Sequence, residues 1–235
     1  MARRIATLAC AAALSFAVAA PGALAQPAPA APASGAASPP PSEAERLVFM
    51  QDHLANSRQP RALRYDYVEE AQGKPAVNDR AVLTLSNGAS GCCDVHGEYL
   101  SGPLAVNLPD VPQARGNPVV LYFLEAEVRR LQRLTGGQAA HFRRRIRQAL
   151  ADAATVSDTR IRWGTQEVPA RLVRVVPFLD DPFRARFQEQ AATEYAIVLA
   201  EAVPGGVYQL RALLPGEAAG ATPRAQRTLT LAESN

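Results

Sequence analysis

Apolar and polar positions alternate in three short segments that follow residue 60. The segments read ALRYDYVEE, RAVLTLS and CCDVHGEYL, and Asn87-Gly88 ahead of the third is a turn signal. A period of two is typical of strands that bury one face. Because short connections join neighbouring strands, we expect three sequential antiparallel strands.

The pattern then changes to a helical period in two adjacent segments. The first runs from Val119 to a stop at Gly136-Gly137, and the second begins near Gln138. The spacing predicts two antiparallel helices joined by a tight glycine turn. Their apolar stripes consist of Leu121, Leu124, Val128, Leu131 and Leu134 in the first helix and Phe142, Ile146, Leu150 and Ala153 in the second.

The two ends of this region also carry clear signals. Ser42-Glu43-Ala44-Glu45 fits a capping box and predicts a helix through about Asn56, with Leu47, Phe49, Met50 and Leu54 buried. After the helical pair, further strands are predicted in DTRIRWG, VPARLVRVVPFL, EYAIVLAEAV, VYQLRALLP and RTLTLAE, and a short helix in DDPFRARFQEQ. These elements predict an α+β fold, with seven or eight mostly antiparallel strands in a curved sheet. An N-terminal helix and a central helical hairpin pack on one face.

The first 25 residues have the order of a secretory signal. Arg3 and Arg4 precede an apolar run of sixteen residues, and Ala23-Leu24-Ala25 is an A-x-A cleavage site. A transmembrane anchor is the alternative, but the run is shorter than the roughly 20 residues that a spanning helix needs. A lipoprotein would use Cys10, which follows only a few apolar residues. We therefore predict a periplasmic protein with a signal peptide at 1–25, a Pro/Ala-rich disordered tether at 26–42 and one domain at 43–235.

Charge and hydropathy limit the partners of the mature protein. The full chain has 25 basic and 22 acidic residues, and removal of two arginines with the signal leaves a net charge of +1. Nucleic-acid binding requires a concentrated cationic surface, so no nucleic-acid partner is predicted. No later run is long and apolar enough to span a bilayer.

One predicted strand carries residues with metal or thiol chemistry. Cys92, Asp94, His96 and Glu98 would share one face, and Cys93, Val95 and Tyr99 the other. Thiolate and imidazole suit zinc or copper, but ligands two positions apart on one strand are spread over about 6–7 Å. The alternatives are a strained Cys92–Cys93 disulfide or an intermolecular bond, and an ordinary strand with Cys93, Val95 and Tyr99 inward. The ordinary strand is favoured.

The helical pair carries a local excess of arginine. Between Glu125 and Asp152 the sequence contains seven arginines and three acidic residues, which gives a local charge of +4. Guanidinium groups bind phosphate and carboxylate in a bidentate manner, so the exposed members form a candidate site for anionic lipid head groups or an acidic protein. The candidate residues are Arg130, Arg143, Arg144 and Arg147. The alternative is a solvated face whose arginines pair with local acids.

Motifs of the common enzyme classes are missing from the sequence. It has no G-x-S-x-G, H-E-x-x-H, P-loop or C-x-x-C motif, and Asp180-Asp181 before a proline is typical of a helix cap. The sequence therefore favours a protein that is not an enzyme and predicts no cofactor.

Several segments resemble a known family. RYDYVEE, RGNPVVLYFLEAEVRRLQRLTGG, HFRRRIRQALAD, FLDDPFRARF and AVPGGVYQLRALLPG are similar to a family of uncharacterised exported proteobacterial proteins, over most of residues 60–216. That resemblance implies a periplasmic location and no catalytic residue. The order of elements also resembles the LolA-type lipoprotein carriers, in which helices plug the concave face of a curved antiparallel sheet.

These observations predict an exported binding protein of the cell envelope. An acyl or other apolar ligand would lie between sheet and helices, and the arginine face would contact anionic groups. Two alternatives stay open. One is a structural protein that binds an envelope partner, and the other is a thiol or metal protein that uses Cys92, Cys93 and His96.

Overall fold

The structure is a computed structural model that describes residues 40–232 except for residues 60, 90 and 219. The predicted signal peptide and nearly all of the predicted tether lie outside the described residues, so both stay predictions.

The described residues form one open, curved sheet of eight antiparallel strands. The sheet order is β3-β2-β1-β8-β7-β6-β5-β4, and every neighbouring pair is antiparallel. Two meanders, β1–β3 and β4–β8, are therefore joined where β1 pairs with β8. The strands are β1 (Arg61–Ala71), β2 (Val77–Gly88), β3 (Gly91–Tyr99), β4 (Thr155–Trp163), β5 (Gln166–Val175), β6 (Glu194–Leu199), β7 (Val207–Leu214) and β8 (Ala225–Leu231).

Alternation along the strands produces one buried and one exposed face. In β1, Leu63, Tyr65 and Tyr67 are buried while Arg64 and Asp66 between them are exposed. This two-residue period confirms the antiparallel α+β architecture predicted from the sequence. In β8 the inward positions are Ala225, Arg227, Leu229 and Leu231, so one arginine lies among apolar side chains on the inner face.

Two helices connect β3 to β4, the two edges of the sheet. They are α2 (Val119–Thr135) and α3 (Ala139–Asp152). α2 ends at Gly136, whose φ of 67° is a left-handed conformation that glycine adopts without strain. Most of the predicted stripes are buried, but Leu121, Leu134 and Ala153 are exposed. α2 reaches the inner face of the sheet at Gly97 of β3, which faces the Tyr122 ring, and at Arg227 of β8, which binds Glu127.

The N-terminal helix is shorter than predicted. The capping box is present, since Ser42 Oγ accepts the Glu45 N–H and the Glu45 carboxylate accepts the Ser42 N–H. The α-helix α1 (Glu43–Glu45) continues as a π-helical turn (Arg46–Met50) and stops there instead of at Asn56. Tertiary hydrogen bonds explain the early stop. The Leu54 N–H donates to Arg115 O, and the Asn56 side chain donates to the carbonyls of Glu201 and Val203.

A buried network fixes the start of α2. Asn117 Nδ2 donates to the Tyr65 hydroxyl at 2.9 Å and to Gly205 O at 2.8 Å, and Asn117 Oδ1 accepts the Val119 N–H at 3.1 Å. The Asn117 N–H donates in turn to His53 Nδ1. Helix α2 is thereby tied to β1, to the β6–β7 turn and to the N-terminal segment.

The loop between β3 and α2 covers the outer edge of β3. The Val106 N–H donates to Tyr99 O, Val95 and Val111 exchange two hydrogen bonds, and the Ala114 N–H donates to Cys93 O. An edge strand with free backbone groups is prone to pair with other chains, so this loop protects it. A 3-10 turn (Gly102–Leu104) lies within the loop.

The predicted helix in DDPFRARFQEQ is split into two short parts. They are α4 (Arg184–Phe187) and a 3-10 helix (Gln188–Ala192). The Asp181 carboxylate accepts the Phe183 N–H at 2.8 Å just ahead of α4 and also binds His141 and Arg145. Asp181 therefore stabilises the turn ahead of α4 and does not cap the helix itself, whose N-cap residue is Phe183.

Candidate functional site

An apolar groove of about 530 Å³ lies between the helical pair, the N-terminal segment and the loop that covers β3. Helices α2 and α3 both contribute side chains to its lining. The apolar lining consists of Phe49, Leu108, Pro109, Val111, Leu121, Tyr122, Leu124, Val128 and Ile146.

Large apolar side chains at this groove remain in contact with solvent. Leu121 is 53% exposed and Phe49 is 38% exposed, although both belong to predicted buried stripes. Single exposed leucines are common, whereas an exposed apolar concavity is typical of a binding site. This groove is therefore the candidate functional site.

Four charged side chains form the rim of the groove. They are Glu45, Glu125, Arg143 and Arg147, and their formal charges cancel. Arg143 binds Glu125 with both ends of its guanidinium, at 2.8 Å from Nε and 2.6 Å from Nη2. The hydrogen bonds from Arg143 hold the pKa of the Glu125 carboxyl below its usual range.

Arg147 differs from the other rim groups. Its side chain is exposed, and within residues 40–232 as described it has no hydrogen-bond or ion-pair partner. A guanidinium with open donors at the edge of an apolar groove can contact an anionic group of a molecule in that groove.

The four arginines predicted as one surface are spread over three places. Arg143 and Arg147 lie at the groove. Arg144 contacts His141 Nδ1 at 3.2 Å, in a separate depression beside Phe183. Arg130 lies on another side of α2, where it donates to Gln190. The structure thus brings two of the four together.

The groove also differs in place from the predicted ligand site. We expected an apolar cleft between the sheet and the helices, but buried side chains fill most of that space, and the pocket that remains there, beside Tyr67 and Glu127, is largely polar. Tyr65, Phe123, Leu131, Tyr195 and Leu229 there are all at most 1% exposed. The apolar opening instead lies between the helical pair, the N-terminal segment and the loop that covers β3. The sequence contains one indication of this groove. The apolar residues Leu108, Pro109 and Val111 lie in a loop, outside every predicted strand and helix.

The cysteine strand has the two faces that the sequence predicts. Cys93, Val95 and Tyr99 are buried, and His96 and Glu98 are exposed. Cys92 and Cys93 are joined by a disulfide, which was one of the alternatives, and Cys93 packs against Ser57. The bonded sulfurs therefore offer no thiolate to a metal.

His96 lies apart from the disulfide in a pair of its own. Its Nδ1 is 2.7 Å from Asp110 Oδ1, and this hydrogen bond raises the pKa of His96. In the described part of the chain no three His, Cys, Asp or Glu side chains come together in a way that would hold a metal ion. Nor does that part contain a helix with the length and hydropathy to cross a bilayer.

Two of the solved structures that are similar to this chain show how weak the structural similarity is. The first is lipoprotein LppX of Mycobacterium tuberculosis, with a TM-score of 0.34 and 7% identity over 81% of this chain and 95% of that one. The second is a LolA superfamily protein from Nitrosomonas europaea, with a TM-score of 0.22 and 6% identity over 81% of this chain and 91% of that one.

These matches are too weak to support an inference about function. Both TM-scores are below 0.5, and no protein-family model and no curated protein matches the chain. The predicted membership of a family of exported proteobacterial proteins stays a prediction. Any functional proposal therefore rests on the geometry of the chain itself.

Proposed function

We propose that this is an exported, non-enzymatic binding protein of the periplasm that holds an acyl or other apolar chain in the groove beside Leu121. The exposed apolar groove carries the proposal. Arg147, with Arg143 beside it, contacts an anionic group at the end of the ligand. The location in the periplasm rests on the signal sequence at 1–25.

The size and chemistry of the groove fit a small amphiphile. Ligand sites typically enclose about 300–1,000 Å³, are mostly apolar and have few polar groups at their edge. The groove of about 530 Å³ has this composition. Removing apolar surface from water is favourable by about 25 cal/mol per Å². A ligand that covers Leu121 and Phe49 therefore gains binding free energy from the apolar surface that it buries.

The rim charges predict a modest preference for anions. Because two acids and two arginines cancel, the apolar lining provides most of the affinity. The Arg143–Glu125 pair satisfies both of its members, so the open donors of Arg147 make the direct contact. An exposed ion pair contributes about 0.2–1 kcal/mol, or a few-fold in affinity.

Two matched variants test the groove directly. We expect Leu121→Glu to lower the affinity for laurate by 10-fold or more, because it places a carboxylate in the apolar wall. Leu179→Glu is the control, since Leu179 is also a leucine in contact with solvent, is 42% exposed and is outside the groove. Isothermal titration calorimetry with laurate and circular dichroism of each variant provide the measurements.

The contribution of the anionic contact is measured with a neutral ligand. We expect Arg147→Gln to weaken laurate binding by a few-fold and to leave dodecanol binding unchanged. If neither ligand binds the wild type, or if Leu179→Glu lowers affinity as much as Leu121→Glu, the groove is not the binding site. Native mass spectrometry of protein from the periplasmic fraction would identify the natural ligand.

A further inference from the structure

A second, polar pocket of about 420 Å³ lies on another side of α2. It is bounded by the ends of β1 and β8, by the loop after β3 and by the 3-10 helix Gln188–Ala192. Tyr67 and Tyr99 form part of its wall. None of the apolar residues of the groove lines it, so the two cavities are separate features of the same helix.

Arg227 lines this pocket, and one of its donors is unsatisfied. Its side chain is 1% exposed, and its Nε and Nη2 donate to the two carboxylate oxygens of Glu127 at 2.6 and 2.9 Å. The remaining terminal nitrogen, Nη1, is buried and has no hydrogen-bond partner. A buried donor without a partner is unfavourable, so a ligand acceptor that reaches it is favoured.

Arg130 adds a second guanidinium without a carboxylate of its own. It is half-buried, and Nη1 donates to Gln190 Oε1 at 3.0 Å. Within the described residues no acid lies within ion-pair distance of Arg130. Burial, and then the nearby charge of Arg227, lower the pKa of Arg130, although Glu127 and Glu69 act in the opposite direction.

The rest of the pocket is also positively charged. Five basic and three acidic residues line it, a difference of +2: Lys74, Arg130, Arg133, Arg224 and Arg227 against Glu69, Glu127 and Glu189. All three acids have a partner already, since Glu127 binds Arg227, Glu189 binds Arg224 and Glu69 accepts from the Tyr67 hydroxyl.

We propose that this pocket is a second binding site, which takes a small organic anion through its carboxylate or phosphate group. Arg130 and Arg227 donate to the anionic oxygens, and Tyr67 and Tyr99 contact the carbon skeleton. Guanidinium forks match both kinds of oxyanion, and their interaction is stronger in a partly buried site than in water. The site is independent of the acyl groove.

Titration with two simple anions tests this site. Succinate and inorganic phosphate are titrated into the mature protein at constant ionic strength, with sodium chloride as the reference. We expect saturable binding of one or both anions, and the anion that binds identifies the chemistry of the natural ligand. Arg130→Gln should lower the affinity by 10-fold or more.

Arg129→Gln is the matched control. Arg129 is the neighbouring residue on α2, but it binds Glu125 and Asn107 O, away from the pocket. In ¹H–¹⁵N spectra of the wild type, the Nε–H signals of Arg130 and Arg227 should move saturably with the anion while that of Arg129 stays in place. This measurement on the wild type holds even if Arg130→Gln does not fold.

The proposal is overturned if neither anion saturates, or if Arg129→Gln weakens binding as much as Arg130→Gln. Leu121→Glu, which blocks the groove, should leave the anion affinity unchanged. Loss of laurate binding and loss of anion binding can therefore be told apart.

Discussion

Arg227 and Glu127, 100 positions apart in the chain, form a bidentate ion pair inside the protein, where each side chain is at most 4% exposed. Arg227 belongs to β8 and Glu127 to α2, so this pair joins the helical pair to the centre of the sheet. Burial lowers the pKa of Arg227, but Glu127 more than offsets it and the pKa is raised, so Arg227 stays charged. The pair fixes α2 on the sheet at one position.

Removal of one member of this pair should be strongly destabilising. We expect Glu127→Leu to reduce the free energy of unfolding by about 3–5 kcal/mol, because it leaves a buried guanidinium without its counter-charge. Urea unfolding followed by circular dichroism measures the loss. The double variant Glu127→Leu/Arg227→Met should be more stable than Glu127→Leu alone, because it buries no unpaired charge. Equal stability of the two variants would show that the unpaired guanidinium of Arg227 is not the cause of the loss.

His53 should make the fold sensitive to mild acid. It is 4% exposed, its Nε2 lies 2.7 Å from Leu47 O and its Nδ1 accepts the Asn117 N–H, so both ring nitrogens are used by the neutral imidazole. Burial lowers the pKa of His53 in spite of the Leu47 carbonyl and Asp52, which raise it. The folded protein thus binds a proton less readily than the unfolded chain, whose histidine pKa is about 6.5. The contribution of His53 to the free energy of unfolding is therefore fully present above about pH 6.5 and is lost as the pH falls through the lowered pKa.

Thermal unfolding between pH 7.5 and 5 measures this effect. The midpoint should fall with pH in the wild type, and the fall should be smaller in His53→Gln. His96→Gln is the control, because His96 is exposed and its pKa is shifted in the opposite direction by Asp110. An identical pH profile for His53→Gln and the wild type would exclude His53 as the source.

The strands were the most predictable part of this fold. The period of two along β3 correctly separates the inward Cys93, Val95 and Tyr99 from the outward His96. The end of the N-terminal helix was not predictable, because the carbonyls that bind Asn56 come from residues about 145 positions later. Local propensity does not contain such contacts.

The sequence predicted the kind of ligand that the candidate site would bind, but not where the site lies. An excess of arginine indicates anion binding, but the direction of each side chain depends on where α2 and α3 contact the sheet. Arg130 and Arg143 therefore lie at different cavities although both face away from the apolar stripes. Arg227 shares one face of β8 with Leu229 and Leu231, but it was missed because charged side chains are rarely buried and its partner Glu127 lies on a distant element.

Gly97 allows α2 to lie close to β3. A Cβ at this position would overlap the ring of Tyr122, which is 2% exposed and packs edge-on against Tyr99 at 6.2 Å between ring centroids. Because the ring is enclosed, it cannot move aside without displacing α2. We expect Gly97→Ala to cost about 1–3 kcal/mol in the free energy of unfolding, measured in urea.

Gly116→Ala provides the matched control for this substitution. A Cβ at Gly116 would meet its nearest neighbour, His53 Nδ1, at 3.9 Å, which is ordinary contact. The control should therefore be neutral, or stabilising by a few tenths of a kcal/mol through the lower entropy of the unfolded chain. Tyr122 also lines the apolar groove, so Gly97→Ala should weaken laurate binding as well, whereas Gly116→Ala should not. If both variants unfold at the same urea concentration as the wild type, the close approach of α2 to β3 is wrong, and the groove that depends on it has a different shape.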